Sequence, residues 1–143
     1  MEQRGNPTPG KYWGNDFISD ANLRVEKGKW ICVEAMIKLN DPVSAHNGEQ
    51  ALWINGRLHR KDGQIISWLR QGAPNGNWVW DSFTPDPKGQ PFEGFRWRST
   101  DQLKLNYLWL MVYITRAPEG HVSKVWFDDV VLARKYIGPI KGR

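Results

Sequence analysis

Two stretches near the C-terminal end restrict the fold more than any other feature: residues 103–115 (LKLNYLWLMVYIT) and 121–133 (HVSKVWFDDVVLA). In the first, Leu108, Leu110, Val112 and Ile114 fall on one side of an extended chain, and Tyr107, Trp109, Met111 and Tyr113 on the other. Both stretches are too rich in aromatic and β-branched residues, and too regular in period two, to favour helix. They predict a strand pair around the break at Ala117-Pro118-Glu119-Gly120.

The same period recurs upstream. In residues 30–39 (WICVEAMIKL), Ile31, Val33, Ala35, Ile37 and Leu39 form the expected core face. Trp30, Cys32, Glu34, Met36 and Lys38 form the opposite face, which places a carboxylate among apolar neighbours, as on a ligand-facing sheet surface. Turn chemistry in 40–48 leads to a second strand over 49–60, broken by Asn55-Gly56 into a hairpin. Residues 64–69 and 78–83 read as strand or helix, and 95–98 alternate Phe95 and Trp97 with Arg96 and Arg98. Residues 1–29 read as a loosely structured arm with one short strand near 16–18, and 30–143 as one domain. At 143 residues a single domain suffices, burying roughly 65–70% of its unfolded surface. Many strands, irregular turns and almost no helical pattern predict an all-β, antiparallel two-sheet sandwich or jelly roll.

Composition narrows the partner. Nine tryptophans exceed what packing usually asks for, since each indole N–H needs an acceptor when buried. Half-exposed indoles suit the apolar faces of sugar rings. A formal net charge of +5 favours an acidic partner, such as a uronic-acid or sulfated glycan. The charge is dispersed and accompanied by no zinc-finger or RNP-like motif, which ranks nucleic acid lower. Cys32 stands alone, so an internal disulfide is excluded. No stretch reaches the roughly 18–20 apolar residues of a membrane span, and the first twenty residues lack the apolar region of a secretory signal. The expectation is a soluble protein, secreted or periplasmic if it acts on glycans.

Four phrases taken in order, KWICVEAMIKLN, NGEQALWINGRL, PFEGFRWRSTDQLKLNYLWLMVYI and VWFDDVVLARKYIGPI, resemble the concanavalin A-like jelly-roll domains of bacterial polysaccharide-degrading systems. These include polysaccharide-lyase-like domains in which a strand precedes a W-[ILV]-[DN]-G hairpin. The resemblance covers residues 29–140 and implies two stacked antiparallel sheets, the concave one carrying a glycan groove. Such domains usually run longer than 143 residues. A strand or two on the N-terminal side is therefore expected to be absent, replaced, or supplied by a second copy of the chain.

The ligand-binding candidates are Glu34, Trp53, Arg96, Arg98, Tyr107, Trp109 and Tyr113: aromatics for sugar faces, arginines for anionic groups, and a carboxylate for hydroxyls. A buried ion pair of Glu34 with Arg96 or Arg98 is the competing structural reading. An enzyme, lyase or glycoside hydrolase, would use Glu34 and Tyr113 as its catalytic groups. A retaining hydrolase needs a second carboxylate roughly 5 Å from the first, with Glu49 and Glu93 as the candidates. A lyase needs a base and a cation, drawn from Tyr113, His46, His59 or His121 with Arg96 and Arg98. The E-x-D-x-x-E signature of laminarinase-like enzymes is absent, as are the R-[ST]-E-[LI]-R and Q-I-H phrases of alginate-lyase jelly rolls. Asp128 and Asp129 are the metal candidates, for a structural calcium that requires six to eight oxygens; no other cofactor is expected. A third class, a structural or assembly domain, would turn the tryptophan-rich face against another protein chain.

Overall fold

The structure, a computed structural model, describes residues 17, 18, 20, 23–79, 82–112, 114 and 116–139. Among them there is no helix, and the strands form three antiparallel sheets. The first contains β1 (Val33–Lys38), β2 (Glu49–Ile54), β3 (Arg57–Leu58) and β6 (Trp68–Leu69). In it β2 is central, with β1 on one side and β3 and β6 on the other. The second is a small hairpin of β4 (Arg60–Lys61) and β5 (Gln64–Ile65). The third has β7 (Asn75–Val79) between β8 (Ser82–Pro85) and β9 (Gln90–Pro91). This is an all-β, sandwich-like arrangement.

Local chemistry explains the hairpins. Asn55 (φ 50°) and Gly56 (φ 73°) both occupy the left-handed region, as a two-residue turn between paired Ile54 and Arg57 requires. Asp62 (φ 49°) and Gly63 (φ 80°) repeat the device between β4 and β5. At Gly76 in β7 the constraint is space. A Cβ there would stand 2.5 Å from the Phe83 ring and 2.6 Å from the Thr84 carbonyl oxygen.

The core is aromatic. Phe17, Leu69, Phe83, Phe92 and Phe95 are buried together, with Ile18, Trp78 and Trp97 packed against them. Phe83–Phe92 and Phe92–Phe95 meet edge to face at 4.9 Å, and Phe95 stacks on Trp97 at 4.2 Å. Leu69 brings the first sheet into this cluster and Phe83 the third, so the rings join the two sheets. Phe95 is held by an antiparallel bridge to Gly48 at the entrance to β2.

A buried asparagine closes the loop side. Asn40, with no exposed surface, donates through Nδ2 to the carbonyls of Val43 (2.9 Å) and Arg98 (3.1 Å), while its Oδ1 accepts the Arg98 N–H (2.9 Å). Arg98 returns the contact by donating Nε to the Asn40 carbonyl at 2.9 Å. The turn after β1 is thereby tied to the chain 58 residues later.

Three sequence expectations are corrected. Residues 103–115 and 121–133, read as the clearest strand pair, contain no strand among the described residues, and Leu103, Leu105, Val112, Val125 and Val131 are exposed. Alternation is a preference that becomes a strand only when backbone N–H and C=O groups find a partner chain, and here they have no ladder. The two faces of β1 are also reversed in exposure. Val33, Ala35 and Ile37 are exposed, whereas Glu34 and Met36 are half-buried, because the chain around Tyr136–Gly138 covers the Glu34 side. Finally, 78–83 is no single element, since it spans the β7–β8 connection. The strand expected near 16–18 lies partly outside the described residues; Phe17 and Ile18 are not in a strand, and Phe17 belongs to the core.

Replacing Asn40 by Ala strands the Arg98 N–H and the carbonyls of Val43 and Arg98 in a buried site. Urea unfolding is expected to show a loss of about 2–4 kcal/mol, with Asn40→Asp also destabilising because a carboxylate cannot donate to those carbonyls.

Candidate functional site

The register of the first sheet determines which side chains share a face. Glu34 is opposite Trp53, Met36 opposite Ala51 and Lys38 opposite Glu49, while β6 sets Trp68 beside Ala51 and β3 sets Leu58 beside Trp53. Paired positions project to the same side of a sheet. One face therefore carries Glu34, Met36, Lys38, Glu49, Ala51, Trp53, Leu58 and Trp68. It is the face that the β1 alternation marks as ligand-facing.

Aromatic rings dominate it. Trp53 lies 6.3 Å from Trp68 and 5.1 Å from Tyr136, both tilted by 48°, and the Arg70 guanidinium sits 4.5 Å over the Trp68 ring. Trp53 and Trp68 are half-buried and Tyr136 is exposed, so each of the three keeps part of its surface open.

Glu49 anchors one end. Its carboxylate accepts Lys38 Nζ at 2.7 Å and Trp68 Nε1 at 2.9 Å, and its backbone carbonyl accepts Trp97 Nε1 at 3.4 Å. Burial alone would push its carboxyl up. The hydrogen bonds from Lys38 and Trp68, with the charges of Lys38 and Arg70, outweigh that and hold it below the ordinary carboxylate value.

Glu34 anchors the other end differently from either sequence reading. Its Oε1 accepts the Ile137 N–H at 2.8 Å and its Oε2 the Gly138 N–H at 2.9 Å. The carboxylate fastens the C-terminal segment across the sheet. Tyr136 Oη reaches the Gly56 carbonyl at 3.5 Å on the same path. Glu34 and Glu49 sit four pairing steps apart in the ladder, about 13 Å along the strands. That exceeds the roughly 5–9.5 Å separation of a glycosidase carboxylate pair.

The other candidates lie elsewhere. Arg96 donates Nε to the Val43 carbonyl, and Arg98 is committed to Asn40, with Asp41 at 3.7 Å. Both arginines brace the 40–43 turn. Tyr107 and Trp109 stand exposed, and among the described residues neither joins the Trp53–Trp68–Tyr136 group. Tyr113 lies outside the described residues. Glu93 accepts Trp78 Nε1 at 3.3 Å beside the core. His59 pairs with Asp20 at 2.8 Å, His121 bonds Ser123 at 2.8 Å, and the His46 carbonyl abuts Gly94. Asp128 Oδ1 accepts the Asp129 N–H, and no group of three or more His, Cys, Asp or Glu side chains that could hold a metal ion occurs among the described residues. No described helix is long and apolar enough to cross a membrane.

Sequence reasoning missed Trp68, Arg70 and Tyr136. Trp68 sat in a run with no clear period, and Tyr136 in what reads as a tail; only the β2–β6 pairing and the Glu34 clasp bring them to Trp53. Comparison with protein-family models, curated proteins and solved structures gave no match.

Because Glu49 has a lowered folded pKa, its stabilisation is present above the ordinary value of 4.5 and is lost as pH falls through the folded value. Lys38 is 58% exposed, so solvent screens the pair. Glu49→Gln should cost about 1 kcal/mol at neutral pH in denaturant titrations, with the gap from wild type closing in acid below that range.

Proposed function

We propose that the chain binds polysaccharide through the Trp53–Trp68–Tyr136 face, and that its fold is of the concanavalin A-like jelly-roll type the sequence resembles. The observation carrying this reading is the clustering of three partly open aromatic rings on one sheet face, flanked by the Arg70 guanidinium and Lys38. Indole and phenol rings offer flat apolar area to the C–H faces of sugars, and a neighbouring guanidinium draws carboxylate or sulfate groups. With the formal net charge of +5, an anionic glycan is the favoured class.

Binding asks little more of these residues than their placement. Proton transfer asks for a carboxylate with a free oxygen near a second acid or base. Both Glu34 oxygens already accept backbone N–H groups, and Glu49 is held ionised by Lys38 and Trp68. The lyase and hydrolase readings draw no comparable support from this face.

Affinity electrophoresis in gels containing polyuronate or neutral polysaccharide tests the proposal. Trp53→Ala and Trp68→Ala should each weaken retardation by tenfold or more, about 1.4 kcal/mol, whereas Trp109→Ala should leave it unchanged. No retardation of the wild-type chain in any polymer would refute it.

A further inference from the structure

The β4–β5 hairpin and the turn that follows β6 enclose a cavity of about 250 Å³. Arg60, Gln64 and Ile65 line it from the hairpin, and Arg70, Ala73 and Pro74 from the turn. Hydrogen bonds fix both walls. Arg60 pairs with Ile65 across the hairpin, and Arg70 and Ala73 exchange N–H···O bonds of 2.9 and 3.0 Å. Gln64 joins the two walls: its Oε1 accepts the Asn75 N–H at 2.8 Å, and its Nε2 donates to the Asn75 carbonyl at 3.1 Å. Asn75 opens β7 directly after Pro74.

The walls carry charge of one sign. Two of the lining residues are arginines, and none of the described residues that line the cavity is acidic. Like charges around so small a space repel, and an anion between them removes that cost. A guanidinium also presents paired N–H donors that match the two oxygens of a carboxylate. Volume limits what enters. The cavity falls below the roughly 300–1,000 Å³ of pockets for drug-sized ligands, which suits one acidic sugar unit rather than a length of polymer.

Arg70 joins the cavity to the aromatic face. Its guanidinium lies 4.5 Å over the Trp68 ring, and Trp68 lies 6.3 Å from Trp53. The same side chain therefore borders the ring on which a sugar would stack and the space in which an acidic group would sit.

We propose that this cavity is the acidic-group subsite of the aromatic face. Arg60 and Arg70 seat the carboxylate of the sugar unit next to the one stacked on Trp68, so the chain selects polyuronate over a neutral polymer of the same backbone. The subsite rests on the carbohydrate reading of the Trp53–Trp68–Tyr136 face. Arg60 governs selectivity alone, whereas Arg70 serves both the anion and the ring.

Isothermal titration calorimetry on the full chain, at about 0.15 M salt to screen distant charges, compares an oligouronate with its carboxyl-reduced, neutral counterpart. The wild-type chain is expected to bind the oligouronate roughly tenfold or more tighter. Arg60→Gln should lose most of that preference while its affinity for the neutral oligomer stays within about twofold. Trp53→Ala should weaken both ligands alike. Lys61, exposed and outside the cavity walls, supplies the control: Lys61→Gln should keep the preference. Equal wild-type affinity for the two oligomers, or an Arg60→Gln chain that keeps the preference, would overturn the subsite and leave the carbohydrate reading standing. So would a Lys61→Gln chain that loses the preference as fully, since dispersed charge then explains it. Binding of neither oligomer refutes both. Should Arg60→Gln fail to fold, the backbone amides of Gly63 and Ala73 in the wild-type chain decide. An occupied cavity shifts their NMR signals with the oligouronate and not with its neutral counterpart; an equal response to both, or none, would contradict the assignment.

Discussion

The contact on which the architecture depends is the edge-to-face packing of Phe83, Phe92 and Phe95. Phe83 comes from the third sheet, Phe92 and Phe95 from the chain that follows it, and Leu69 from the first sheet closes the group. Burying each ring is worth roughly 1.5–3 kcal/mol, more than any surface ion pair in the molecule can supply. The paired sheets are short, with β3, β4, β5, β6 and β9 only two residues each, so ladder hydrogen bonds alone would not hold them. The rings fix where β6 lies, and β6 in turn carries Trp68 to Trp53. The candidate face is thus downstream of the core.

Glutamates do unusual structural work here. Glu49 takes an indole N–H and an ammonium on its carboxylate and a second indole N–H on its carbonyl, and Glu93 takes the indole of Trp78. Glu34 takes two successive backbone N–H groups. These contacts give the indole donors of Trp68, Trp78 and Trp97 their acceptors, a carboxylate or a carbonyl at the boundary of the core. Trp68 in the aromatic face is held at its N–H by Glu49 and at its ring by Arg70. A preordered ring loses less entropy on meeting a ligand.

Much of the first sheet was legible from sequence. The alternation in 30–39 marks β1, and Asn55-Gly56 marks the β2–β3 turn, because both signals are local and the structure satisfies them locally. The Glu34–Trp53 pairing belongs to the β1–β2 register, which that turn does not set. What sequence could not convey was non-local. Nothing near Asn40 announces Arg98 as its partner, and nothing near Tyr136 announces Trp53. Arg96 and Arg98 carry charges suited to an anionic ligand, yet their donors are used on backbone carbonyls of a turn more than fifty residues away. The strongest strand signals, in 103–115 and 121–133, predict a mutual pair. Their realisation depends on an available edge rather than on their own composition.

The proposal that Trp53 and Trp68 meet a glycan sets them apart from Trp78 and Trp97, which pack against the core. Two-dimensional NMR of the nine tryptophan Nε1–H signals during titration with a soluble oligouronate tests it most directly. Saturable shifts are expected at Trp53 and Trp68, with Trp78 and Trp97 unmoved. Shifts confined to Trp109 and Trp126, or none at saturating sugar, would contradict it.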